Sequence, residues 1–285
     1  MRKPNLIIPG FPKSGTSALH DALIQNSEIS DGGRKEPHTY SWDSRYKNRH
    51  HRFQNLYGDS KTKYILDSST TYLVSKHAVK RIVNDSPHAK FIVIARDPID
   101  RIVSHYNWLS SKNLVNRKPK NEIRFFINKK FNYRNHYKGN YKAYIDFSLY
   151  GGQMKRLLGV VNSKNVMFFK YEDFFSNFKT NRRLLESFLD CDLSSIVVRN
   201  VNKTTFKDYK KSPPPSIFKR LKNRVFYEYE IIKGFPRTLK VRNPERYSTT
   251  RKEIEEIVFP QLRHDLRLLE SLGYNLTGWP TYEKL

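Results

Sequence analysis

Lys13, Ser14, Gly15, Thr16 and Ser17 stand together in "IIPGFPKSGTSALHDALIQNS", residues 7 to 27, between a short apolar run and a helix-like one. Gly10 and Gly15 have the separation of the nucleotide-phosphate loop G-x-x-x-x-G-K-[ST]. Thr16, however, takes the place of that loop's lysine, and the basic residue is Lys13. Backbone N–H groups at a helix start do most of the work of holding an anion, and small residues are enough to expose them. An ordinary turn from strand to helix would also use Gly and Ser, so this loop alone admits both readings.

A second basic position, Arg96, ends the apolar run of "FIVIARDPIDRIVSHYNWL", with Ser104 two helical turns further on. Asp97 suits an N-cap, Pro98 a first helical position, and Ile99, Ile102, Val103 and Tyr106 a buried face. An arginine at a strand end beside a helix hydroxyl suits a phosphate, through a charge-assisted pair worth about 1.5–3 kcal/mol. An Arg96–Asp97 network that only pins the helix is the structural alternative. The third position is Glu36 in "RKEPHTYSWD", with Lys35 before it and His38 after Pro37. A carboxylate there could take a proton from an alcohol within hydrogen-bond reach, and an exposed Lys–Glu pair is the bland reading.

These positions need elements to hold them. The runs "NLIIP", "YILD", "KFIVIARD" and "NVMFFKYED" alternate with helix-like segments. That pattern predicts an α/β fold: a P-loop-like central parallel sheet flanked by helices on both faces, with ligands beyond the carboxyl ends of the strands. The first helix is read from Ala18, Leu19, Ala22 and Leu23. The last starts at a Thr250/Glu253 capping box, kinks or restarts at Pro260 and closes at Gly273. No linker divides the chain, so one domain over residues 1–285 is expected. Two basic, aromatic stretches, 112–142 and 203–247, read as inserts or lids, the first carrying ten basic residues and one acid. A solvated helix face is the alternative for the first.

Composition sets the outer limits. The 285 residues, with 38% hydrophobic and 14% aromatic content, exclude a disordered chain, and the single cysteine, Cys191, excludes an intrachain disulfide. No secretory signal or membrane-length apolar run is visible, which predicts a soluble, cytoplasmic protein. A formal net charge of +26 attracts polyanions.

Taken together and in order, the three motifs resemble those of sulfotransferases that use 3′-phosphoadenosine 5′-phosphosulfate (PAPS). "PGFPKSGTSALHDAL" is similar to their 5′-phosphosulfate loop and "ARDPIDRIVSHY" to their 3′-phosphate motif. "KEPHTY" resembles the catalytic segment of the carbohydrate branch, which includes the heparan sulfate sulfotransferases. "DSSTTYL", "KYEDF" and "NKTTF" from Asn202 are weaker likenesses. The resemblance implies in-line transfer of a sulfuryl group from PAPS, leaving 3′-phosphoadenosine 5′-phosphate (PAP), with no essential metal. It implies Glu36 as general base, Lys13 stabilising charge on the leaving phosphate, and His38 orienting Glu36 or the acceptor. Ser14, Gly15, Thr16 and Ser17 would join Lys13 in holding the 5′ end, and Arg96 and Ser104 the 3′-phosphate. His105 is the alternative base. The acceptor implied is a carbohydrate, tilted by the charge toward an acidic poly- or oligosaccharide, with no specific nucleic acid. Where heparan-type members carry a lysine, this chain has "DSST" from Asp67. A P-loop nucleotide or sugar kinase and a basic nucleic-acid-binding protein remain the competing classes.

Overall fold

The computed structural model describes residues 1–111, 114–115, 117–131, 133, 142–198 and 249–285. Five strands form one sheet: β1 (Leu6–Ile7), β2 (Ile29–Ser30), β3 (Tyr64–Asp67), β4 (Lys90–Ala95) and β5 (Val166–Lys170). Their order is β2-β3-β1-β4-β5, and every pairing is parallel. Leu6 sits opposite both Leu66 and Lys90, which places β1 at the centre.

Alternate residues of each strand go to opposite faces, as the pleat requires. Ile7, Ile65, Phe91 and Val93 face one apolar cluster, while Leu6, Leu66, Ile92 and Ile94 face another. The second is closed by Leu19, Ala22 and Leu23 of α1 (Thr16–Leu23) and by Leu185 and Leu189 of α9 (Phe178–Leu189). The first is closed by α2 (Asp43–Lys47) through Tyr46, by α3 (Arg49–Tyr57) and by α4 (Ala78–Asp85). The segments α7 (Tyr150–Leu158) and α10 (Arg251–Ser271) complete it. A third cluster lies between α5 (Pro98–Ser111), α6 (Pro119–Ile127) and α10.

The four expected strands are present. The fifth, β2, has only two residues and carries no period that a sequence reading could detect. Residues 117–131 of the first basic stretch include α6, whose Ile123 is buried against α10. The segment 203–247 lies outside the described residues. The last helix does not restart at Pro260: α10 runs unbroken across it from Thr250, where Glu253 Oε2 accepts from the cap N–H at 3.0 Å. Ile254 and Val258 before the proline and Leu262 after it pack into the third cluster, and Leu266 further on packs into the first, so both halves are held by core contacts.

Topology fixes where a ligand can enter. After β1 the chain turns toward β2 and β3, and after β4 it turns toward β5, so the crevice of a parallel sheet opens between the carboxyl ends of β1 and β4. The loops leaving those two strands carry Lys13 and Arg96.

Candidate active site

The β1–α1 loop is held from both sides by backbone bonds. Leu73 N–H donates to Pro9 O at 3.2 Å, and Phe11 N–H donates to Ile94 O at 3.1 Å. Lys13 and Gly15 then take left-handed backbone, with φ of 69° and 86°. At Gly15 glycine is required twice over: a Cβ there would lie 2.4 Å from the Phe175 ring and 2.9 Å from that of Tyr171. Gly15 caps α1 without any side-chain bond, leaving the first N–H groups of the helix to an incoming anion. Ser14 is fully buried, and among the described residues its Oγ has no partner. Thr16 opens the helix and is also buried, and Ser17 accepts a bond from Lys35 Nζ. A buried hydroxyl without a partner costs free energy unless a ligand satisfies it.

Lys13 lies in a crowd of cations. Burial, then the charges of Arg96, Arg101 and Lys35, push its ammonium down to about 8, with Glu36 acting in the opposite sense. Its Nζ also stands 5.3 Å from the centre of the Trp108 ring on α5. The β4–α5 turn supplies Arg96, half-buried, its buried Nε without a partner among the described residues and its guanidinium 5.0 Å above the ring of Tyr171. Tyr171 opens α8 (Tyr171–Ser176) and therefore touches both basic loops. Ser104 lies half-buried on α5, two turns beyond Arg96.

Asp97 does not pair with Arg96. Its Oδ1 accepts from Ile99 N–H at 3.0 Å, which makes it the N-cap of α5, and from Arg251 Nη1 at 2.8 Å. Thr281 N–H and Oγ1 add bonds of 2.8 and 2.7 Å. Glu172 bridges the same turn to the chain's last segment, accepting from Asp97 N–H at 3.1 Å and from Trp279 Nε1 at 2.9 Å. Asp97 thus takes no part in holding the Arg96 head.

The Glu36 loop faces the same crevice through charge, since Glu36 and Lys35 both act on Lys13. Glu36 and His38 flank Pro37 and are themselves left-handed, with φ of 55° and 50°, a costly state for residues with a Cβ. The surroundings hold it. His38 N–H donates to Ser69 Oγ at 2.9 Å, Ser69 donates to buried Asp67 at 2.6 Å, and His38 Nδ1 lies 2.8 Å from Thr71 Oγ1. Thr70 donates to Glu36 Oε1 at 3.2 Å, and His38 Nε2 is 3.6 Å from Glu36 Oε2. Burial pushes the Glu36 carboxyl up, but His38, Lys35 and Thr70 together outweigh it and hold the group below the ordinary carboxylate range. The carboxylate is thus ionised at neutral pH while 36% of its side chain remains exposed, the state a proton acceptor needs.

His105, the alternative base, is buried on α5 among Trp108, Tyr144 and Phe147, with Nδ1 3.2 Å from Arg101 Nη1, and its neighbours Trp108 and Arg101 are also the ones that act on Lys13. Arg101 was not singled out from the sequence. It is fully buried, donates to Ser148 at 2.6 Å and to Tyr144 O, and is lowered to about 10, chiefly by burial. Its signal was its position on the apolar stripe of α5, where a charge is out of place unless something needs it. The "DSST" segment, a weak likeness within "DSSTTYL" and a departure from the heparan-type members, is the scaffold of the Glu36 loop. Among the described residues, no group of three or more His, Cys, Asp or Glu could hold a metal, and no helix is long and apolar enough to cross a membrane.

Known proteins are similar to this chain in sequence and in fold. A family model described as "Sulfotransferase domain" aligns with residues 3–246. Among curated proteins, heparan sulfate glucosamine 3-O-sulfotransferase 6 of Homo sapiens is 31% identical over 112 residues, which is 39% of this chain and 32% of the relative. The membrane-associated sulfotransferase kil1 of Dictyostelium discoideum is 27% identical over 128 residues, 43% of this chain and 26% of the relative. These alignments thus span about a quarter to a third of the relatives' lengths. A solved sulfotransferase from Alicyclobacillus acidocaldarius superposes with a TM-score of 0.60 at 20% identity, covering 82% of this chain and 94% of that one, and so shares its fold. With the family model covering most of the chain and the P-loop-like sheet matched in a solved member, the chain belongs to the sulfotransferase domain family.

Proposed function

We propose that this protein transfers a sulfuryl group from PAPS to a hydroxyl of a carbohydrate acceptor, with Glu36 as general base. The observation that carries this is the pairing of two unmet needs on one sheet edge. Among the described residues, buried Ser14 Oγ and Arg96 Nε lack partners beside Lys13, as an anion site would leave them, and a fixed, ionised carboxylate stands on a loop that also acts on Lys13. Those orphaned donors fit a ligand bearing phosphates at both ends. Ser14, Gly15, Thr16, Ser17 and Lys13 would hold its 5′ end, and Arg96 with Ser104 its 3′-phosphate. When bound, PAPS supplies the electrophilic sulfuryl group and departs as PAP.

The chain's own residues do the rest. Glu36 takes the acceptor hydroxyl proton at a carboxylate oxygen, and His38 and Thr70 fix the direction of that carboxylate. Lys13, the α1 N–H groups and the charge of Arg101 behind them stabilise negative charge gathering at the 5′ end. The heparan sulfate relatives and the basic surface together favour a glycan acceptor, and an anionic one in particular. The absence of a lysine after Gly15 leaves the kinase reading without its β/γ-phosphate ligand.

The test is a Glu36→Gln variant. Turnover of PAPS with acceptor should fall at least 100-fold, within the range for loss of a general base, while PAP affinity stays within a few-fold. Full turnover in the variant would remove Glu36 from the mechanism.

A further inference from the structure

The outer face of α6 takes no part in the site described above. Residues 117–131 carry six cations and one acid. That acid is turned inward: Glu122 is fully buried, with Lys142 Nζ donating to its Oε1 at 2.6 Å and Arg117 Nη1 to its Oε2 at 3.3 Å. Lys118, Lys120, Arg124, Lys129 and Lys130 are exposed, and among the described residues none of them has a carboxylate partner. Phe125 stands among them 44% exposed, with the Arg117 guanidinium 4.0 Å and Lys129 Nζ 4.4 Å from its ring centre.

Local preferences oppose this arrangement. Lys118 is the N-cap of α6 and Lys120 lies in its first turn, where the helix dipole disfavours a cation. Lys120 and Arg124 are four residues apart on one helix, a spacing at which like charges repel. A merely solvated face intersperses both signs and keeps large aromatics inside, and here both rules fail together. Local rules broken with no gain inside the chain point to a partner that supplies negative charge and an apolar boundary.

Phe125 decides the kind of polyanion. A base or a sugar recognised by an aromatic residue lies on the face of its ring. Arg117 and Lys129 already stand over that ring, and what they leave open is its edge. Such an edge suits the boundary between acyl chains and headgroups, with the basic heads reaching the lipid phosphates. We infer that α6 docks this protein on an anionic lipid surface, with Phe125 at the headgroup boundary and Lys118, Lys120, Arg124, Lys129 and Lys130 on the headgroups. This holds whatever the cofactor and the acceptor are.

The experiment is cosedimentation of the full chain with phosphatidylcholine vesicles, with and without phosphatidylserine, in about 0.15 M salt. The anionic vesicles should be bound at least tenfold more tightly than the neutral ones. Joint change of Lys118→Gln, Lys120→Gln and Arg124→Gln should weaken that binding at least tenfold, since each cation near an anionic surface is worth about fivefold. The same charge loss at exposed positions elsewhere, Lys164→Gln, Lys179→Gln and Arg183→Gln, should leave most of it in place. Phe125→Ala should weaken it several-fold with no change of charge. Phe125→Trp should keep it and show blue-shifted emission on the anionic vesicles only. Unchanged thermal unfolding is the folding control for each variant. No binding to anionic vesicles, equal losses in the two charge-matched triples, or tryptophan emission at position 125 indifferent to the vesicles would overturn the docking face. So would single-stranded DNA or a soluble acidic polysaccharide whose binding falls with Phe125→Ala as much as vesicle binding does, because the ring would then serve stacking.

Discussion

Lys13 sets the pH behaviour of the site. In the free protein it is lowered to about 8 by burial and by Arg96, Arg101 and Lys35. A bound phosphate anion favours the charged form and raises that value, so binding takes up a proton wherever the free lysine is neutral. PAP affinity should therefore be flat below pH 8 and fall as pH rises beyond it. Lys13→Arg, which stays charged, should abolish the decline, as calorimetry across pH 6.5–9.5 would report. With Glu36 as the proposed base, its carboxyl held below the ordinary range, turnover should keep that base in the ionised form well into acid. A base limb near neutrality in the kcat profile would contradict this. At this scale the sequence was informative where spacing carried meaning, as with Lys13 between Gly10 and Gly15. It was silent on Arg101 and on the Asp67–Ser69–His38 chain, because those contacts join residues that only the fold brings together.

The elements explain why the loops keep their shapes. Gly15 joins β1 to α1 in left-handed backbone against Phe175 and Tyr171, so Gly15→Ala should destabilise the protein by about 1–3 kcal/mol. It should also weaken PAP binding more than tenfold, since the strained loop carries Ser14 and Lys13 with it. Thermal unfolding and calorimetry on the same variant would separate the two effects. Strands β3, β4 and β5 were legible because each is an apolar run closed by a polar residue, Asp67 and Lys170 at the ends of β3 and β5 and Arg96 just past β4, and α5 because Asp97 and Pro98 announce its start. The two residues of β2 could not be read, as their pairing to β3 is decided by the return of the chain from α1. Pro260 was misleading: a lone proline breaks an isolated helix, but here the core on both sides of α10 outweighs it.

Over the whole molecule, the last residues of the chain reach back to the ligand edge. Trp279 is fully buried, packs at a tilt 5.9 Å from the Tyr150 ring and donates to Glu172, while Thr281 fills the remaining acceptors of Asp97 at the turn that presents Arg96. Trp279→Ala should cost about 3–5 kcal/mol in denaturant unfolding. Thr281→Val should leave most of that stability in place and still loosen PAP binding several-fold, because the lost bonds hold the β4–α5 turn. No pattern in the sequence joins residues 97 and 281, so this brace could not be foreseen. The most direct test of the account is calorimetric titration of the protein with PAP, with ATP and ADP in parallel and Arg96→Ala as the paired variant. The account predicts tight binding of PAP, clear preference over both nucleotides lacking the 3′-phosphate, and loss of that preference in the variant. Equal affinity for all three, or a PAP affinity indifferent to Arg96, would contradict it.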